Sequence, residues 1–90
     1  MERLHVVYRG RVQGVWFRAN CQKKAVELGV LGWVRNMPDG SVESIAEGER
    51  DTLEKLLEWN IHHQPMARVD STEATWGKPT GEFRDFRIIR

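Results

Sequence analysis

Cysteine is nearly absent. Cys21 is the only one in 90 residues, so no disulfide can staple the chain from within. The histidines and this one cysteine show none of the pairwise spacings that zinc ligands use, and the reading is therefore of a chain without a metal site. Excess charge of one sign is missing as well: 14 Lys and Arg face 13 Asp and Glu, for a formal net charge of +1. No bulk field marks a nucleic-acid or membrane binder, and any function that uses charge must be local. Long apolar runs are lacking, since the opening MERLHVVYRG breaks its apolar residues with Glu2, Arg3 and Arg9 and falls short of a signal-peptide core or a membrane span. Repeats, low-complexity tracts and linker-like stretches are also missing. Together these absences lead us to expect a cytoplasmic protein with no nucleic-acid or membrane partner, working as a monomer.

What is present is an ordinary globular composition. With 40% hydrophobic and 30% charged residues the chain lies far from the disordered corner, and its length suffices for one unstapled core but not two. A single domain over residues 1–90 is expected.

Hydrophobic period places the elements. Leu4, Val6 and Tyr8 alternate with His5, Val7 and Arg9, which predicts a first strand over residues 3–10 that Gly10 ends. Phe17, Cys21, Ala25 and Leu28 then recur at helical spacing, and Gly29 suits the left-handed stop, with Val30 folding back on Ala25. Residues 30–37 and 41–47, rich in β-branched and aromatic side chains, flank Met37-Pro38-Asp39-Gly40 and predict a hairpin. A second helix is predicted from Arg50 to His63 on the stripe Leu53, Leu56, Leu57 and Ile61, with Asn60 an imperfection at its edge and Pro65 beyond its end. Residues 67–76 and 83–89 read as two more strands around the breakers Gly77 to Gly81. The order β-α-β-β-α-β with an extra C-terminal strand predicts an α+β, ferredoxin-like two-layer sandwich, both helices on one face of a mostly antiparallel sheet. That architecture hosts many functions, so the site has to decide.

The segment that carries chemistry is Gly10-Arg11-Val12-Gln13-Gly14-Val15-Trp16-Phe17-Arg18, between a strand end and a helix start. The N–H groups of a helix N-terminus are unsatisfied and sit at the positive end of the helix dipole, so a loop entering it can wrap an anion. Gly10 and Gly14 permit the backbone turns of an anion-binding nest, and Arg18 adds a planar fork for two phosphate oxygens. The Gly-Lys-Ser/Thr ending of nucleotide loops is missing, which disfavours nucleotides. On spacing alone the two glycines serve equally well merely to turn the chain, with Arg18 solvated.

This segment, followed by Gly32-Trp33-Val34-Arg35-Asn36 and then by Pro38-Asp39-Gly40-Ser41-Val42, resembles the acylphosphatase family over essentially the whole chain, including Phe86-Arg87-Ile88 near its end. The resemblance implies a ferredoxin-like fold and hydrolysis of the carboxyl-phosphate anhydride of acyl phosphates, with no metal or organic cofactor. It places the catalytic arginine on Arg18 and the catalytic asparagine on Asn36. The loop residues Gln13, Gly14, Val15, Trp16 and Phe17 would supply phosphate-binding amides. The partners it implies are a small acyl phosphate and inorganic phosphate, the latter as product and inhibitor. Trp16 fills a position that varies in the family and would shape access. Without the resemblance, Asn36 would read as a turn-side asparagine ahead of Met37-Pro38-Asp39-Gly40.

Other residues read as structural. Cys21 lacks the arginine six positions on that a cysteine phosphatase needs, position 27 being Glu27, and is expected to pack its helix. His5, His62 and His63 stay outside the site, and Trp33, Trp59 and Trp76 lie on separate elements as packing or interfacial residues. Glu82, Arg84, Asp85 and Arg87 read as a solvated strand face. The competing function is a ferredoxin-like module that binds single-stranded RNA or a regulatory anion. No strand carries the exposed aromatic alternation an RNA surface would need. The related domain that opens the larger hydrogenase-maturation carbamoyltransferases is a third reading, but the zinc-binding cysteines that follow it there are missing here.

Overall fold

The computed structural model describes residues 1–90. Its elements run β1 (Glu2–Arg11), α1 (Phe17–Leu28), β2 (Leu31–Asn36), β3 (Val42–Gly48), α2 (Arg50–His62), β4 (Arg68–Gly77) and β5 (Phe86–Ile89). The strands form one sheet in the order β4-β1-β3-β2-β5, antiparallel except for the parallel β2–β5 pair. This is the ferredoxin-like sandwich with one strand added beside β2.

Alternation decides which side of the sheet is covered. Leu4, Val6 and Tyr8 of β1, Val34 of β2, Val42 and Ala46 of β3 and Phe86 of β5 share one buried cluster with Phe17, Cys21 and Ala25 of α1 and Leu53 and Leu56 of α2. Both helices therefore lie on one face. Helix α1 stops as its sequence suggests: Gly29 is left-handed at φ 73°, and the Val30 N–H reaches the Ala25 carbonyl at 2.9 Å.

Three features differ from the periodic reading. Gly10 does not end β1. The strand continues through a bulge between Arg9 and Gly10 to Arg11, and Gly10, at φ 132°, lies so close to Arg68 and Asp70 of β4 that a side chain there would strike backbone. Its glycine character serves strand approach and not the loop. The last strand begins at Phe86, so Glu82, Arg84 and Asp85 belong to an exposed connection and not to a strand face. Asn60, read as an edge imperfection, is fully buried, because Tyr8, Cys21 and Gln64 supply it with polar partners.

The connection from β4 to β5 joins opposite edges of the sheet and crosses the face without helices. Glu47 of β3 holds it there: one carboxylate oxygen accepts the Thr80 N–H at 2.7 Å and the other the Gly81 N–H at 3.1 Å. Burial raises the carboxyl's pKa, but these N–H donors, the Thr80 hydroxyl and nearby Arg3 outweigh it and hold Glu47 below the usual glutamate range.

Candidate active site

Residues 12–16 link β1 to α1, and Val12 and Val15 anchor this loop by burying their side chains in the core. Between and after these anchors the backbone turns left-handed twice, at Gly14 (φ 73°) and at Trp16 (φ 63°), the one non-glycine residue with positive φ. A Cβ at Gly14 would meet nothing within 4 Å, so glycine is favoured there by conformation and not by crowding. The N–H groups of Gln13, Gly14, Val15 and Trp16 donate to no other group of the protein. Helix α1 starts with no side-chain cap and no acidic residue in its first turn. The result is a row of free donors at the positive end of a helix dipole, with no internal anion competing for them.

Arg18 lies half-buried in the first turn of α1 and makes no ion pair, whereas Arg3, Arg9, Arg35, Arg50, Arg68 and Arg87 each have a carboxylate within 4.0 Å. Asn36 ends β2 on the same face as Val34, half-buried, and its Oδ1 is buried without a hydrogen-bond partner. Gly14, Trp16, Phe17, Arg18 and Asn36 line one open cleft of about 440 Å³. Val12, Ala19 and Ile88 complete its wall.

Five of the seven residues singled out in the sequence thus meet at one cleft, and Gln13 and Val15 do not line it. Val15 faces the core, leaving only its backbone for a ligand. Gln13 turns its amide away to donate to the Met37 carbonyl at 2.8 Å and the Ser41 carbonyl at 2.9 Å. Both carbonyls already accept from the turn itself, Met37 from Gly40 and Ser41 from Met37, while Asp39 accepts the Ser41 N–H and hydroxyl. Those two donors, hydroxyl first, hold the Asp39 carboxyl below its usual range. Gln13 thereby ties the loop to the turn that immediately follows Asn36. Its partners lie 28 and 24 residues away along the chain, and no local pattern announces them.

Beneath the cleft lies a buried polar chain that sequence reading also missed. The Asn60 amide donates to the Tyr8 hydroxyl at 3.1 Å and to Cys21 Sγ at 3.3 Å. Gln64 donates to Asn60 Oδ1 and to the carbonyl of Phe17, the first residue of α1, both at 3.1 Å. Burial, only partly relieved by Asn60, pushes the Cys21 thiol up to about 12, and it raises the Tyr8 hydroxyl as well. A fully buried neutral thiol is no nucleophile. No three His, Cys, Asp or Glu side chains gather anywhere as a metal site would require. No helix is long and apolar enough to cross a membrane.

Comparison with known proteins adds an independent finding. The acylphosphatase family model matches residues 4–88. An acylphosphatase of Methylococcus capsulatus is 49% identical over 90 residues, covering 100% of this chain and 98% of its own. One from a Roseiflexus species is 51% identical over 89 residues, covering 99% and 96%. Among solved structures, an acylphosphatase from Bacillus subtilis has a TM-score of 0.95 at 32% identity, with 100% of each chain covered.

Proposed function

The chain belongs to the acylphosphatase family, and on that premise we propose that it hydrolyses acyl phosphates to a carboxylate and inorganic phosphate, with Arg18 and Asn36 as catalytic residues and no metal ion or organic cofactor. The observation that carries this reading is the unpaired, half-buried Arg18 beside free loop N–H groups in the cleft that also holds Asn36.

The loop N–H groups and the Arg18 fork take the phosphoryl oxygens, neutralising charge and fixing orientation. An acyl phosphate is an activated anhydride with a good carboxylate leaving group, so no protein nucleophile is needed. Asn36 cannot be a strong base, but its amide both accepts from and donates to a water, which orients that water toward phosphorus. The water oxygen bonds to phosphorus, the bond from phosphorus to the acyl oxygen breaks, and the carboxylate leaves with the electron pair. The water's proton passes to a phosphate oxygen. Gln13 acts by holding the loop against the turn after Asn36, keeping the two halves of the site in register. One domain working as a cytoplasmic monomer suffices for this chemistry, and a net charge of +1 supports no nucleic-acid role.

The test is hydrolysis of benzoyl phosphate by purified protein in EDTA. Turnover that persists, with inorganic phosphate and sulfate as competitive inhibitors, is expected. Activity abolished by EDTA and restored by a divalent ion would overturn the metal-free reading.

A further inference from the structure

Trp16 is the least economical residue in the molecule. It is 72% exposed, so it contributes nothing to the core, and it occupies the left-handed region (φ 63°, ψ 19°), which L side chains adopt at a cost and glycine adopts freely. Neither packing nor backbone preference accounts for a tryptophan there. An outlier of this kind at a cleft is a reason to look for a ligand contact.

The cleft supplies the setting. Its polar side is the phosphate cradle, with Gly14, Arg18 and Asn36, and its apolar side is Trp16, Ala19 and Ile88. Ile88 comes from β5, paired with Val34 of β2, and is itself 38% exposed. Two large apolar side chains from distant parts of the chain thus stand at the rim of a site whose proposed ligand joins a phosphate to a carbonyl through one bridging oxygen. The acyl substituent begins only a few bonds from phosphorus, so whatever it is must lie against the rim.

We infer that Trp16 and Ile88 form the acyl subsite and that Trp16 selects for aromatic or bulky apolar acyl groups by stacking on them. This rests on the acylphosphatase reading and adds its substrate class. A flat indole presented outside the core offers a face for offset stacking at little entropic cost, whereas acetyl phosphate offers only a methyl group to cover it. The ring touches a part of the substrate that does not react, so its contribution is the same in ground and transition states and appears in KM, not in kcat.

The experiment compares kcat/KM for benzoyl phosphate and acetyl phosphate in the wild type, Trp16→Ala, Trp16→Phe and Ile88→Ala, taking the ratio within each protein so that any general loss cancels. The ratio should fall about tenfold in Trp16→Ala, through KM, and about threefold in Ile88→Ala, while Trp16→Phe keeps most of it. Binding of phenylphosphonate relative to inorganic phosphate, measured by calorimetry, should shift in the same order and does not depend on turnover. A wild type that hydrolyses neither substrate defeats the acylphosphatase reading, and the phosphonate ratios then still decide the subsite. Ratios that stay within about twofold of wild type in the variants, or a wild type that binds neither phenylphosphonate nor phosphate, overturn the inference. Should Trp16→Ala fail to fold, Ile88→Ala carries the same test from the other wall.

Discussion

Arg18 and Arg35 are both half-buried arginines on regular elements, and the molecule treats them in opposite ways. On the face without helices, Arg35 donates to Glu43 at 2.8 Å and lies over Trp33, while His5 meets the other oxygen of Glu43 at 2.7 Å. Nearby, Glu47 has its oxygens filled by the β4–β5 connection. Arg35, His5, Glu43 and Glu47 there all have partners, and the net effect of His5 and Arg35 against burial is to hold Glu43 below its usual range. At the cleft the order is reversed, with Arg18 unpaired, the loop N–H groups free and Asn36 Oδ1 buried without a donor. Charge is spread over both regions. What separates them is whether the protein satisfies it internally, and a region left unsatisfied is one that a ligand completes.

The largest expected effect probes the cleft side of that contrast. Asn36→Ala should lower kcat by about 10²- to 10³-fold while the inhibition constant of phosphate moves by less than about twofold, since in the proposed mechanism Asn36 serves the water and not the bound phosphoryl group. Steady-state kinetics with phosphate as inhibitor separates the two. A loss seen wholly as weaker phosphate binding would return Asn36 to the turn. Arg18→Lys comes next: it keeps the charge but loses the fork, and should weaken phosphate binding and turnover together by about ten- to a hundredfold. A lysine variant with wild-type KM and kcat would remove Arg18 from the site.

The paired face should answer in stability. Glu47→Gln is expected to lose about 1 to 3 kcal/mol at neutral pH by urea denaturation, with kcat retained because Glu47 lies on the face opposite the cleft. The native pKa of Glu47 is depressed below its ordinary value of 4.5, so this stabilisation is complete above that value and is lost as pH falls through the native pKa. The gap between wild type and variant should therefore close in acid. A gap that stays constant down to acid pH would mean the ionised carboxylate is not what holds the crossing. Smallest of all, Cys21→Ser should remain active and lose about 1 kcal/mol, as expected of a small buried side chain that keeps its Asn60 contact. A folded but inactive Cys21→Ser protein would bring back a covalent mechanism.

Much of the fold was legible because burial in a sandwich is periodic. The alternation of Leu4, Val6 and Tyr8 and the spacing of Phe17, Cys21 and Ala25 are the core itself seen in one dimension. What was illegible is the polar part of that core. Asn60 breaks an apolar stripe, and only the fold shows that Tyr8, Cys21 and Gln64 make its burial tolerable. Gly10 was misassigned for the same reason, since the strand that crowds it is some 60 residues away in sequence, at Arg68 and Asp70. That Arg18 and Asn36 share one cleft was legible through their motifs. That Gln13 faces the turn and not the ligand was not.

Gln13 also bears on how the site comes into being. Its two bonds span 24 and 28 residues, with all of α1 and β2 lying between their ends. Closing a loop of that length costs entropy that the two bonds cannot supply, so the join forms only once α1 and the β2–β3 hairpin have docked. The cleft is accordingly completed late in assembly. During refolding from denaturant, recovery of turnover should then coincide with burial of the core and lag behind the first helical signal.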